Sequence, residues 1–173
     1  DGYLDALVKE IRALGKMAAG RKPDTVYIGG GTPTTLEPEQ LDRLLSTITE
    51  CFDISRALEF TIEAGRPDSI TEEKLRVIRK YPGTRISVNP QTMQQKTLDL
   101  VGRRHTVKDV VNAFQMARKL GFDNINMDLI AGLPGENAED MRDTLSRVKE
   151  LGPDSLTVHA LAIKRAAKFG QEG

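Results

Sequence analysis

Polar side chains occupy alternate positions in four segments whose other residues are typical of buried β-strands. Because successive side chains of a strand point to opposite faces, this period of two places each polar set on one face. An unpartnered buried carboxylate or amide costs about 1–3 kcal/mol, so four such strands require a polar ligand or a hydrogen-bond network. We favour a ligand, with a structural network in a barrel interior as the alternative. The polar positions are Thr61 and Glu63; Ser87, Asn89 and Gln91; Asn126 and Asp128; and Thr157 and His159.

Three consecutive glycines, Gly29, Gly30 and Gly31, follow the first strand-like segment and precede Thr32 and Pro33. A run without side chains permits positive φ and lets a ligand touch the backbone itself. No GK[ST] follows the run, so it is not a phosphate-binding P-loop, and it lacks the GxGxxG spacing of a dinucleotide fingerprint. A ligand-contacting backbone and a plain tight turn are equally compatible with these residues.

The other residues that could do chemistry are few and scattered. His105 and His159 lie in different segments without metal-ligand spacing, and Arg103 belongs to a basic cluster that by itself indicates a solvated loop. Cys51 is the only cysteine. A single cysteine cannot form an internal disulfide. Iron–sulfur clusters need three or four thiolates, so this chain alone cannot hold one. We assign no metal ligand and no catalytic residue from these patterns.

The elements that must position these residues alternate between strand and helix. Apolar stripes at helical spacing separate the strand patterns, and Thr106 with Asp109 has the form of a capping box at the start of one helix. Strands that alternate with helices predict an α/β fold of βαβ units with a parallel sheet, which binds ligands at the carboxyl ends of its strands. The predicted strands cover residues 25–30, 59–64, 85–90, 124–130 and 155–161.

Length and composition limit the domain count and the class of function. A chain of 173 residues is the length of one ordinary domain, so residues 1–173 are predicted to form a single domain. The 25 basic and 25 acidic side chains give no net charge, which argues against a nucleic-acid or membrane-surface binder. The apolar runs are shorter than the ~18 residues of a membrane span, and no signal-peptide pattern is present. We expect a cytoplasmic protein.

Five strands are too few to close a barrel of eight βα units, which needs ~250 residues. The chain also opens with a helical stripe, of which Leu4, Leu7 and Val8 are members, and no strand pattern precedes it. We therefore expect a partial barrel that lacks a strand and its loop at the front. A complete small open sheet is the alternative.

Six segments in series resemble the landmarks of one family, the radical S-adenosylmethionine (AdoMet, also SAM) enzymes of the oxygen-independent coproporphyrinogen III oxidase, or HemN-like, group. The resemblance extends from the first helix to about residue 168, and the third and last segments are most similar to its HemZ branch, the coproporphyrinogen dehydrogenases. The segments are YIGGGTPTTL at 27–36, TIEAGRPDSIT at 61–71, NPQTM at 89–93, LVGRRHT at 100–106, NMDLIAGLPGE at 126–136 and PDSLTVHALAIKRAAK at 153–168.

This resemblance implies a partial parallel (β/α) barrel of the radical SAM type, with a [4Fe–4S] cluster and AdoMet at the carboxyl ends of its strands. In that family three cysteines of a CxxxCxxC loop bind the cluster, and reductive cleavage of AdoMet gives a 5′-deoxyadenosyl radical. The radical abstracts hydrogen from a propionate side chain, and loss of carbon dioxide leaves a vinyl group. The CxxxCxxC loop is absent from this sequence and is expected before the opening helix. The chain by itself is therefore expected to be inactive.

The resemblance also implies an AdoMet site, residue by residue. Gly65 and Arg66 stand where relatives often carry other residues, so the loop after Glu63 is expected to differ from the corresponding loop of those relatives. The matching residues are Gly30, Gly31 and Thr32 against the methionine part of AdoMet, Glu63, Gln91 and Arg103 along the site, Asp128 at a strand end, and Ala162 near the adenine or a second ligand.

The implied function is oxidative decarboxylation of coproporphyrinogen III to protoporphyrinogen IX in anaerobic haem biosynthesis. The implied partners are the porphyrinogen substrate and an electron donor such as flavodoxin or ferredoxin, without nucleic acid or membrane. Two alternatives stay open: a haem-binding chaperone of the same superfamily, and a radical AdoMet enzyme that acts on another substrate.

Overall fold

A computed structural model describes residues 2–18, 20–83 and 85–162. Five strands form one sheet in chain order, and every neighbouring pair is parallel. All five predicted strands and their alternation with helices are confirmed, with ends that differ by one or two residues. The strands are β1 (Thr25–Ile28), β2 (Glu59–Gly65), β3 (Arg85–Gln91), β4 (Ile125–Ala131) and β5 (Ser155–Ala160).

Six α-helices of the described residues connect or flank these strands. The capping box predicted at Thr106 is confirmed: Thr106 Oγ1 accepts a hydrogen bond from the Asp109 amide, and the Asp109 carboxylate accepts one from the Thr106 amide. The helix Gln95–Leu100 was not predicted, because a helix of six residues is too short to show helical periodicity. The helices are α1 (Gly2–Met17), α2 (Pro38–Cys51), α3 (Glu72–Arg79), α4 (Gln95–Leu100), α5 (Val107–Lys119) and α6 (Ala138–Leu151).

The two faces of the sheet differ in polarity. The apolar face carries side chains such as Ile62 of β2, Ile86 of β3 and Met127 of β4, which are fully buried against α2, α3 and α5. Burial of each such side chain contributes about 1.5–3 kcal/mol. The polar residues alternate with these on the opposite face, so the apolar face determines where the polar side chains point.

The carboxyl ends of the central strands are irregular. The pairing of β2 with β3 shifts register between Glu63 and Gly65, and the pairing of β3 with β4 shifts between Val88 and Gln91. Gln91 has a φ of 69°, the only positive value at a non-glycine position among the described residues. Such irregularities redirect side chains at a strand end. They occur where the sequence predicts a ligand.

Gly65 joins the end of β2 to the segment after β1. Its φ is +69°, and a Cβ atom on this residue would lie 2.9 Å from Cγ2 of Thr32. We expect Gly65→Ala to lower the free energy of unfolding by about 2 kcal/mol, because left-handed backbone costs alanine about 1–2 kcal/mol and the contact adds to it. Urea denaturation measures this loss.

Gly152→Ala is the matched control. Gly152 has a φ of +71° at the end of α6, and a Cβ atom there would meet nothing within 4 Å. This variant should show the backbone cost alone. Equal losses in the two variants would contradict a steric requirement for glycine at position 65.

Candidate functional site

A continuous series of hydrogen bonds crosses the polar face of the sheet from β4 to β2. Asn126 Nδ2 donates to Asp128 Oδ1 at 2.6 Å and to Ser87 Oγ at 3.0 Å. Ser87 Oγ donates to Asn89 Oδ1 at 2.7 Å, and Asn89 Nδ2 donates to Glu63 Oε1 at 3.0 Å. The series therefore ends in a carboxylate on each side, and each carboxylate is oriented by an amide.

Asn126 is the centre of this network. Its side chain is buried, and its Oδ1 accepts hydrogen bonds from Ser155 Oγ at 2.9 Å and Thr157 Oγ1 at 3.2 Å. The structural network that the sequence left as an alternative is therefore present. It does not use all the polar atoms: Asp128 is partly exposed, and its Oδ2 has no hydrogen-bond partner among the described residues. That oxygen can accept a hydrogen bond from a ligand.

Tyr27 of β1 lies near both carboxylates, although the sequence did not single it out. Tyr27 is 60% exposed, and the partial desolvation of its phenol raises its pKa; the negative charges of Glu63 and Asp128 raise it further. The phenol therefore keeps its proton and can act as a donor on this face. The signal was available, because Tyr27 alternates with Val26 and Ile28 as the polar residues of the other strands do.

A cavity of about 500 Å³ opens at the carboxyl ends of β3 and β4. This volume is within the range of small-molecule sites. Two predicted site residues, Gln91 and Arg103, line it, as do Arg66 and Arg104, which the sequence did not assign. The other lining residues are Val101, Gly102, Ile130, Leu133, Pro134 and Leu161.

Arg103 is a partly buried cation on the wall of this cavity. Burial lowers the pKa of Arg103, and the positive charge of Arg66 lowers it further. Its guanidinium makes no hydrogen bond or ion pair with the residues that the structure describes. A partly buried arginine with free donors can bind a carboxylate bidentately. Arg103 is therefore partly buried in the structure, whereas the local sequence indicates a solvated loop.

The remaining predicted residues lie at the same edge of the sheet but outside that cavity. Gly30 is exposed with a φ of +101°. Gly31 and Thr32 line a second cavity of about 270 Å³ between α1 and residues 29–31, the glycine segment. Ala162 is exposed and follows Leu161, which lines the first cavity. Residues 163–168 of the last landmark segment lie outside the described residues.

The side chains at this edge fit a zwitterionic nucleoside such as AdoMet. Asp128 Oδ2 can accept from an ammonium or a ribose hydroxyl, and Arg103 can bind a carboxylate. Gly30 and Gly31 leave room for backbone contact. The residues do not fit an iron–sulfur cluster. Cys51, the only cysteine of the sequence, ends α2, and the described residues contain no group of three or more His, Cys, Asp or Glu able to hold a metal ion.

His105 is a buried titratable group that directly follows Arg103 and Arg104, two residues that line the first cavity. Its Nε2 lies 3.2 Å from the carbonyl oxygen of Pro90, so Nε2 carries the proton, and Nδ1 has no partner among the described residues. Burial lowers the pKa of His105, and the charge of Arg103 contributes in the same direction. The folded protein therefore binds this proton less readily than the unfolded chain does.

We expect the free energy of unfolding to fall as the pH decreases below about 6.5, the usual histidine pKa, until the lower pKa of the folded state is reached. The stability that the uncharged His105 ring contributes is fully present above about pH 6.5. Between pH 7 and pH 5, His105→Gln should show a smaller loss than the wild type in urea denaturation. His159→Gln, which removes an exposed ring, is the control. Identical slopes in His105→Gln and the wild type would contradict this assignment.

Comparison with known proteins relates this architecture to a family. A family model described as the Radical SAM superfamily matches residues 3–148. The oxygen-independent coproporphyrinogen-III oxidase-like protein HemZ of Bacillus subtilis is 49% identical over 149 residues, which cover 86% of this chain and 30% of that protein. The heme chaperone HemW of the same organism is 36% identical over 172 residues, which cover 98% of this chain and 45% of that protein.

A solved structure agrees with these matches. Coproporphyrinogen III oxidase (HemN) from Escherichia coli, described as a radical SAM enzyme, superposes with a TM-score of 0.88 at 35% identity and covers 99% of this chain and 39% of that one. The curled half-barrel of five parallel strands matches the radical SAM fold, so the predicted fold class and family resemblance are confirmed. The chain spans less than half the length of each relative. No described helix is both long and apolar enough to cross a membrane.

Proposed function

The chain belongs to the radical SAM superfamily, and from this we propose that it is the AdoMet-binding part of an enzyme that oxidatively decarboxylates coproporphyrinogen III to protoporphyrinogen IX. The observation that carries the proposal is the hydrogen-bond series that presents Glu63 and Asp128 on the polar face of the sheet, with Glu63 beside the glycine segment. The names of the HemZ and HemN relatives support the substrate. Such an enzyme would work in the cytoplasm with a donor such as flavodoxin or ferredoxin.

The glycine segment and the two carboxylates would hold the polar parts of AdoMet. AdoMet supplies the adenosyl group that abstracts hydrogen in this family; the side chains of this chain only bind and orient it. Gly30 and Gly31 would let the methionine part lie against the backbone, with Thr32 beside it. Glu63 and Asp128 would accept hydrogen bonds from the ammonium and the ribose hydroxyls. Their amide partners hold them in position before the ligand arrives, which reduces the entropy lost on binding.

The cavity residues would complete the AdoMet site. Arg103 suits a carboxylate because its guanidinium has free donors, and Gln91 presents an amide from a strand end whose backbone is already redirected. Ala162 would pack near the adenine or a second ligand. The single cysteine cannot supply the three thiolates of the family's cluster. We propose that cysteines outside this sequence hold it.

A haem chaperone is the second candidate. The match to HemW covers 98% of this chain, against 86% for the match to HemZ, although its identity is lower. A chaperone would use the same barrel to bind haem tightly without consuming a porphyrinogen.

The deciding experiment uses the protein that carries the cluster-binding cysteines together with this chain. It is reconstituted without oxygen and given AdoMet, a strong reductant and coproporphyrinogen III. Protoporphyrinogen together with 5′-deoxyadenosine would support the oxidative decarboxylase. Release of 5′-deoxyadenosine without decarboxylation would mean that the substrate is different. Bound haem with neither product would favour the chaperone.

A further inference from the structure

All the charged residues that line the 500 Å³ cavity are positive, and together they are called the arginine wall. Three of its lining residues, Arg66, Arg103 and Arg104, are arginines, and none of the lining residues is acidic. The first follows directly after β2, and the other two lie in the segment between α4 and α5. Two separate parts of the chain therefore bring guanidinium groups to one cavity, although like charges repel.

Arg66 has a defined orientation in this wall. Its Nε and Nη2 donate to the two carboxylate oxygens of Asp68 at 3.3 and 3.1 Å. Asp68 lies in a 3₁₀ turn, Pro67–Ser69, whose backbone closes through hydrogen bonds from Ser69 to Arg66 and from Ile70 to Pro67. The ion pair thus uses one edge of the guanidinium, and Nη1 takes part in neither hydrogen bond.

The charges of this group do not balance. Arg66, Arg103 and Arg104 carry three positive charges against the single negative charge of Asp68. Arg104 is exposed to solvent, so one unpaired positive charge is left on the partly buried part of the surface. Burial and the neighbouring cation both lower the pKa of Arg103, which reflects the cost of keeping that charge unpaired. One carboxylate from a ligand would neutralise the excess and could accept from both guanidinium groups.

We propose that Arg66 acts together with Arg103 as a binding site for one ligand carboxylate. Arg66 is not one of the AdoMet-binding residues given above. The inference rests on the proposed function for its two possible ligands, since AdoMet carries a carboxylate and coproporphyrinogen carries propionates. Both offer the same chemistry to the arginine pair, and binding measurements distinguish them.

The test measures the affinity of the cluster-containing protein for two probes, AdoMet and coproporphyrin III, the stable oxidised form of the substrate. Arg66→Gln should weaken binding of at least one probe by about tenfold or more, because a charge-assisted hydrogen bond is lost. Arg66→Lys keeps the charge but not the paired donors, so its affinity should be intermediate. Arg56→Gln, in the exposed turn before β2, is the control and should match the wild type.

The pattern of losses identifies the ligand. A loss for AdoMet alone places its carboxylate at the pair, and a loss for coproporphyrin III alone places a propionate there. Unchanged affinity of Arg66→Gln for every probe that the wild type binds would overturn the inference. A wild type that binds AdoMet but neither binds nor converts the porphyrin would overturn the proposed substrate, and the AdoMet measurement would still test Arg66.

Discussion

Replacing Asp128 by alanine is expected to weaken AdoMet binding by about tenfold to a hundredfold. The carboxylate has one oxygen oriented by Asn126 and another without a partner among the described residues, so it is ready to accept from a ligand. Hydrogen bonds to charged groups contribute about 1.5–3 kcal/mol, which sets this range. Glu63→Ala should have an effect of similar size, because Glu63 ends the same hydrogen-bond series. Anaerobic calorimetry on the cluster-containing protein measures both.

Two further variants separate a binding role from a general effect of charge. Asp128→Asn keeps the shape, but its single acceptor oxygen is used by Asn126 Nδ2 and its amide NH2 faces the ligand, so its affinity should fall about as far as that of Asp128→Ala. Glu150→Ala removes an exposed carboxylate from α6 and should leave the affinity unchanged. Unchanged AdoMet affinity in both Asp128→Ala and Glu63→Ala would refute the site assignment.

The second large effect is expected on stability. Asn126→Ala should lower the free energy of unfolding by about 3 kcal/mol, since four hydrogen bonds to the Asn126 side chain disappear. The hydroxyls of Ser155 and Thr157 lose their acceptor, and Ser87 loses a donor. Each unsatisfied buried group costs about 1–3 kcal/mol, partly offset where water enters. Urea denaturation monitored by circular dichroism measures the loss.

Asn112→Ala is the control for this substitution. Asn112 is exposed on α5, and exposed substitutions of this kind change stability by less than about 0.5 kcal/mol. If Asn126→Ala lost less than about 1 kcal/mol, the network would be replaceable by water and would not be what positions the two carboxylates. A normal fold with reduced AdoMet affinity in this variant would assign Asn126 a positioning role.

Local sequence determined the order and type of the main elements. Alternation with a period of two and apolar stripes at helical spacing arise from the geometry of single strands and helices, so they can be read without knowledge of the fold. The capping box at Thr106 is likewise a matter of neighbouring residues. The same periodicity placed Asn126 and Asp128 on one face of β4, which the structure bears out. The separation of that face from the core is therefore a property of the sequence.

Only the tertiary structure decided which of these side chains meet. Asn126 reaches Ser87 and Ser155 because β4 pairs with β3 on one side and β5 on the other, and register between strands is a non-local property. The arginine wall depends even more on the tertiary structure. Arg66 and Arg103 belong to separate segments, and only the curled sheet and its irregular strand ends bring these segments to one cavity. Periodicity says which face a side chain occupies. Which side chains become neighbours across the sheet depends on strand pairing, on register shifts and on the left-handed Gln91 at the end of β3. No local sequence pattern encodes these three features.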